Sequence, residues 1–169
     1  MNLVLDAWPL TTLLAGTFAA VVPGRAAAEL RALCKTRGGV QFEERHVEAL
    51  RRYLETATGV WTTGPVLGEA FHHLERATGE QFEAFLTQLH ERFPGPALFV
   101  QTWEHCVDPA IAGRFGVGDA SVVDAARRLP AGRLMVEDWR LHGWCVRNGV
   151  PVVTCMSIAD VFDLGDFGR

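Results

Sequence analysis

Short apolar segments alternate with helical patterns along this chain, and that alternation restricts the fold more than any other feature of the sequence. Between the apolar segments, hydrophobic residues recur every three or four positions, which is typical of amphipathic helices. Strands that alternate with helices form a parallel sheet covered on both faces. We therefore expect an α/β fold, a three-layer α/β/α sandwich with a five-stranded parallel sheet. The predicted strands lie at 2–6, 60–62, 97–100, 133–136 and 151–154.

The length of the chain, 169 residues, indicates a single domain over 1–169 with room for a packed core. Hydrophobic residues make up 49% of the chain, which argues against a disordered protein. The stretch at about 24–58 adds a helical segment before the second strand. Its apolar face must be buried somewhere, so we expect an exposed arm that supplies a dimer or partner surface.

Charge and cysteine usage narrow the functional class. The net charge of −4 provides no overall basic field, so any contact with RNA must be a local patch. The apolar run at 10–22 has no basic residue before it and is too short to cross a bilayer, which predicts a cytoplasmic protein without membrane contact. Four cysteines without C-x-x-C spacing predict buried thiols rather than a zinc site: Cys34, Cys106, Cys145 and Cys155.

Four acidic residues follow predicted strands or begin predicted helices. Asp6 ends the first strand, Glu69 lies early in the helix after the second, and Asp138 follows the fourth. Asp119 is a predicted N-cap. Since the carboxyl ends of parallel strands share one edge, we expect these acids to converge there. Grouped carboxylates need protonation or a cation, and oxygen ligands favour Mg²⁺ or Mn²⁺.

Each acid also has an ordinary structural explanation. Asp119 can serve only as a helix cap, and Asp6 and Glu69 can be solvated acids, as most carboxylates are. Glu137 stands beside Asp138 and is the alternative for the fourth position. The metal-site hypothesis therefore depends on all four acids occurring in order on suitable elements.

Four segments carry these acids: LVLDA at 3–7, TTGPVLGE at 62–69, GVGDASVVDAA at 116–126 and LMVEDWRL at 134–141. Together they resemble the PIN-domain family. The resemblance implies divalent-metal-dependent cleavage of single-stranded RNA by Asp6, Glu69, Asp119 and Asp138. Many members of the family are bacterial toxins held by an antitoxin protein, often as homodimers. The sequence departs from the family pattern at Trp8, where a small polar residue is frequent, and at Val136, where threonine or serine is common.

Other functions fit the sequence less well. A haloacid-dehalogenase-type phosphatase needs a second aspartate where Trp8 stands, and a receiver domain needs a late lysine, whereas Lys35 is the only lysine. A PIN-fold module that binds RNA or protein without cutting remains the alternative.

Trp8 and Trp139 flank motif acids and are candidates for stacking on bases. Five arginines of the last third are candidates for phosphate contacts or solvated helix faces: Arg127, Arg128, Arg133, Arg140 and Arg147.

Overall fold

The structure is a computed structural model that describes residues 1–19, 24–35, 39, 41–92 and 95–158. A single five-stranded sheet runs through it, with every neighbouring pair parallel and the spatial order β3-β2-β1-β4-β5. The predicted parallel sheet is therefore confirmed. The strands are β1 (Asn2–Leu5), β2 (Gly59–Thr63), β3 (Ala97–Phe99), β4 (Gly132–Met135) and β5 (Val152–Val153).

Helices connect the strands and cover the sheet. Among the described residues, no helix is long and apolar enough to cross a membrane. The helices are α1 (Ala7–Ala19), α2 (Gly24–Leu33), α3 (Glu44–Glu55), α4 (Gly64–Thr78), α5 (Phe82–Arg92), α6 (Trp103–Cys106), α7 (Pro109–Phe115), α8 (Val117–Arg128) and α9 (Trp139–Arg147).

The side chains of the central strands alternate between two hydrophobic cores, as the pleat of a strand requires. Leu3 and Leu5 of β1 join a core built with α1 to α5. Val4, between them, joins a second core built with α7, α8 and α9. Helices therefore cover both faces of the sheet, as in a three-layer sandwich.

A proline separates two short helices that follow β3. The chain forms α6 and then α7. Pro109 begins α7 because its fixed φ and missing N–H suit the first turn of a helix and disrupt a helix interior. Asp108 caps α7 by accepting a hydrogen bond from the backbone N–H of Ala110 at 2.9 Å.

The expectation of an exposed arm at about 24–58 was wrong. Leu30 of α2 and Leu50 of α3 are buried in the first core. In α1, Gly16 permits this packing, because a Cβ at that position would lie 2.6 Å from Cγ2 of Val47. Helix α1 is apolar around most of its circumference, and such a helix must be covered on several sides. The additional segment provides that cover, so its apolar face is satisfied within the chain.

The four cysteines carry free thiols. Cys34, Cys145 and Cys155 are buried, as predicted, and Cys106 is half-buried. Burial raises the pKa of Cys34 to about 11. These thiols are therefore protonated at neutral pH and pack as small hydrophobic groups.

Candidate functional site

The order of the strands distinguishes one position at the carboxyl edge of the sheet from the rest. From β1 the chain moves outward to β2 and β3 on one side and then returns to β4 on the other side of β1. The crevice beyond the carboxyl ends of β1 and β4 is therefore the topological switch point, where open α/β sheets bind ligands. The residues that immediately follow these strands are Asp6 and 136–138.

Asp6 is held by its backbone at this point. Its N–H donates to the carbonyl of Met135 at 3.1 Å, which continues the pairing of β1 with β4. Its own carbonyl accepts from the N–H of Leu10 at 3.1 Å, so the same residue begins α1. Asp6 is only 6% exposed, an unusual degree of burial for a carboxylate. Its place at a helix N-terminus favours a negative charge.

Asp138 lies past β4 and is also buried, with 8% exposure. Its Oδ1 accepts hydrogen bonds from the backbone N–H groups of Arg140 at 2.7 Å and Leu141 at 3.3 Å. Asp138 is therefore the N-cap of α9, a structural duty that the sequence interpretation did not assign to it. One carboxylate oxygen is sufficient for this cap.

The neighbouring acid, Glu137, has a different structural partner. Its carboxylate accepts a hydrogen bond from the backbone N–H of Cys155, at the start of the helical turn 155–158. Burial raises the pKa of Glu137, and the hydrogen bonds from the backbone of Cys155 and Met156 oppose that rise. Glu137 thus joins the end of β4 to the segment after β5, whereas Asp138 joins it to α9.

Asp119 is not the N-cap of α8, contrary to the sequence-based prediction. Gly116 holds that position with a φ of 121°, which a residue with a side chain rarely adopts. Asp119 is the third residue of the helix and half-buried. A carboxylate in the first turn still interacts favourably with the helix dipole.

A pair of buried hydroxyl groups fixes the turn that carries Asp119. The hydroxyl of Ser121 donates to the carbonyl of Gly118 at 2.6 Å. The hydroxyls of Thr63 and Ser121 lie 2.6 Å apart. Because Ser121 has one hydroxyl hydrogen and gives it to Gly118, Thr63 is the donor of this second bond. The link joins the end of β2 to the first turn of α8.

Glu69 is the most exposed of the four acids, with 53% of its side chain accessible. Its Oε2 lies 3.7 Å from the position that a Cβ on Gly118 would occupy, so its carboxylate lies against the residue that precedes Asp119. Its Oε1 lies 3.9 Å from Nε2 of His73. The ring of His73 stacks on Trp8, with centroids 5.1 Å apart.

The pKa values of two buried thiols are affected by the charges of several of these acids. The pKa of Cys145 is raised to about 11, mainly by burial, with Asp119 and Asp6 adding to the rise and Arg127 opposing it. Burial also raises the pKa of Cys155, and the charges of Glu137 and Asp6 raise it further. Asp6 therefore shares the electrostatic environment of one thiol with Asp119 and of the other with Glu137.

The acids do not form a compact cage. Within the ranges that the structure describes, no three His, Cys, Asp or Glu side chains form a group that could hold a metal ion. Two positions, Asp6 and Asp138, are set by backbone hydrogen bonds. Glu69 is long and half-exposed, so it is the acid with the most freedom to move.

Of the five candidate arginines, three lie away from the acids and one lies beside them. Arg127 and Arg128 end α8, and Arg133 lies in β4, so these three lie toward the amino edge of the sheet. The guanidinium of Arg127 lies over the ring of Trp144, 5.3 Å from its centroid. Arg140 follows Asp138 at the carboxyl edge and is exposed.

Sequence reasoning did not identify the roles of Thr63 and Ser121. Both are buried hydroxyl residues close in sequence to the motif acids Glu69 and Asp119. The available signal was that buried hydroxyl groups need hydrogen-bond partners. The two partners, however, are 58 residues apart in the chain. In comparisons with known proteins, the chain matched no family model and no curated protein.

Proposed function

We propose that this chain is a divalent-metal-dependent endoribonuclease of PIN type that cleaves single-stranded RNA. The observation that carries the proposal is the burial of two carboxylates, Asp6 and Asp138, beside the carboxyl ends of the two strands that form the switch point. Burying a carboxylate is costly, and sites that bind cations retain such groups for function.

The chemistry of these side chains, rather than their spacing in the structure, suits a hard cation. Asp6, Asp119 and Asp138 would hold Mg²⁺ or Mn²⁺ through carboxylate oxygens, with Glu69 as the outer ligand, and neither histidine nor cysteine is needed. A bound ion of this kind lowers the pKa of water and neutralises charge that develops on a phosphodiester.

The protein's own groups would hold this arrangement in place. The N–H groups of Arg140 and Leu141 fix one oxygen of Asp138, and the link from Thr63 to Ser121 fixes the turn that carries Asp119. Glu69, which is exposed on α4, would lie on the side from which RNA approaches.

The test is cleavage of labelled single-stranded RNA by the purified protein. We expect cleavage with manganese or magnesium, none in excess chelator, and weaker cleavage of a duplex of the same sequence. Glu69→Gln should reduce the rate. Glu75→Gln is its matched control, because Glu75 is also an exposed acid on α4 but lies six residues beyond Glu69 and so on another side of the helix. Undiminished cleavage in chelator would contradict the metal mechanism.

A non-catalytic PIN-fold module that binds RNA or protein is the second candidate. The hydrogen bonds of Asp138 and Glu137 favour it, because these acids also act as a helix cap and a strand connector. RNA binding without turnover in any divalent metal would support this candidate over the nuclease.

The toxin role extends the first proposal. A cytoplasmic toxin ribonuclease would be held by an antitoxin protein and would often form a homodimer. Expression of the chain should then arrest growth, and a protein from an adjacent gene should relieve the arrest and co-purify with it. Growth without arrest by an actively cleaving protein would contradict the toxin role and leave the nuclease proposal intact.

A further inference from the structure

One face of α9 carries an aromatic ring and a cation in line. Trp139, Gly143 and Arg147 are spaced four residues apart, so they share one side of the helix. The Trp139 side chain is 80% exposed, although it is the largest hydrophobic residue that the structure leaves so accessible among its described residues. The opposite face is buried through Leu141 and Cys145.

The guanidinium of Arg147 turns back along this face. Its Nη1 lies 3.4 Å from the position that a Cβ on Gly143 would occupy, so the guanidinium lies beside a residue without a side chain. Gly143 is four residues from Trp139, which is about 6 Å along the helix axis. The guanidinium therefore lies about one helical turn from the position of Trp139, roughly the span of one nucleotide.

The charge of the helix favours a nucleic acid as the occupant. Helix α9 contains two arginines and no acidic residue, within a chain whose net charge is −4. Aromatic rings alternating with cations are typical of surfaces that bind single strands, where bases stack and phosphates pair with the cations. We propose that Trp139, Gly143 and Arg147 form a subsite for single-stranded RNA, in which the indole stacks on a base and Arg147 contacts the adjacent phosphate.

The subsite lies next to Asp138. Its role in cleavage, as distinct from RNA binding, rests on the proposed function. Trp139 is the first residue of α9 and directly follows Asp138, the N-cap. A base stacked on Trp139 would bring its own backbone to the carboxyl edge of the sheet. The subsite would then position one nucleotide beside the scissile phosphate.

The experiment is fluorescence anisotropy with a labelled single-stranded RNA, in excess chelator so that the probe stays intact. Trp139→Ala should weaken binding about 5- to 150-fold, the range for loss of one stacked base, and Trp139→Phe should restore much of it. Arg147→Gln should lower the salt dependence, reducing the slope of log K against log salt by about 0.7, whereas Trp139→Ala should leave it unchanged.

Two controls make the test specific. Val146→Ala alters the other exposed apolar side chain of α9, which is 60% accessible, and should leave RNA binding unchanged. An oligonucleotide with one abasic position should bind the wild type more weakly but bind Trp139→Ala with no further loss.

The inference is overturned if the wild type does not bind the RNA in chelator or if Trp139→Ala binds as the wild type does. It is also overturned if Val146→Ala weakens binding as strongly as Trp139→Ala, because that result indicates an apolar docking face for a protein. A nuclease that is indifferent to Trp139 would contradict this subsite alone. Binding that depends on Trp139, without cleavage in any metal, would contradict the proposed nuclease alone.

Discussion

The two ends of β1 differ in how their polar groups are used. At the amino end, Asn2 donates through Nδ2 to the carbonyl of Pro130 at 2.8 Å and accepts from the indole N–H of Trp61 at 3.0 Å. At the carboxyl end, Asp6 is a buried carboxylate in the same electrostatic environment as Asp119. The amino end contains neutral donors and acceptors in matched pairs, whereas the carboxyl end has charged carboxylates that act on the same buried thiol.

This difference indicates which end serves stability and which serves function. Matched hydrogen bonds between neutral groups stabilise a fold modestly and have no other consequence. Like charges near one another reduce stability unless a cation is present, and the proposed function would use such charges to bind one. Substitutions at the two ends of one strand should therefore have opposite effects on stability and activity.

The largest effect is expected for Asp6→Asn. The amide keeps the shape of the side chain but is a poorer ligand and cannot balance the charge of a cation, so cleavage should be abolished. Without metal, removal of one repulsive charge should raise stability by about 1 kcal/mol. Thermal melts with chelator and with manganese measure both effects. A variant that melts lower in chelator and keeps its manganese-induced rise would identify Asp6 as a structural residue.

The second largest effect is expected at Asp138, where substitutions can separate the helix-capping role from the proposed metal-binding role. Asp138→Ser keeps a side-chain acceptor for α9, so its stability should remain within about 0.5 kcal/mol of the wild type, whereas Asp138→Ala should lose about 0.5–2 kcal/mol. Both should reduce cleavage at least about tenfold, as changes at metal sites commonly do. Full activity in the serine variant would remove Asp138 from the site and leave Glu137 as the fourth acid.

At the amino end, Asn2→Ala should cost stability without changing chemistry. Two side-chain hydrogen bonds are lost, which corresponds to about 1–3 kcal/mol in the free energy of unfolding. Urea denaturation measures this loss, and the cleavage rate per folded molecule should equal that of the wild type. A fall in that rate would show that the amino end influences the site.

The smallest effect is expected for Glu137→Gln, measured in chelator. Burial raises the folded-state pKa of Glu137, so the folded protein favours the protonated carboxyl. The corresponding stability is present below the ordinary glutamate pKa and is lost as the pH rises through the folded pKa. Glutamine has no such loss, so the stability of the variant should gain on that of the wild type as the pH rises above the ordinary glutamate pKa, about 4. If the stabilities of the wild type and the variant change with pH in parallel over this range, the raised pKa of Glu137 is contradicted.

Much of the fold was predictable because it depends on local patterns. The predicted strands agree with the observed strands to within one or two residues, since apolar runs bounded by polar residues and turns are local signals. The parallel sheet followed from the alternation of strands with helices. The break before Pro109 is also a local signal, because proline disrupts the interior of a helix.

The candidate site was predictable in outline and not in detail. Asp6 and Asp138 follow β1 and β4, as the sequence indicated, because an acid after an apolar run is visible in the sequence. The exchange of capping roles between Asp119 and Asp138 was not visible, because a cap depends on the direction in which one carboxylate points. Gly116 as the cap of α8 requires a φ that the sequence permits but does not specify.

The sequence by itself determined the alternation of strands and helices, the parallel sheet and the elements on which the acids lie, because each follows from periodicity and chain order. The tertiary structure decided which contacts those elements make. It placed α2 and α3 on α1 within one core, joined Thr63 to Ser121 across two elements, and left Trp139 exposed beside Asp138. These outcomes depend on close approach between segments distant in the chain, and such approaches are set by packing rather than by local pattern.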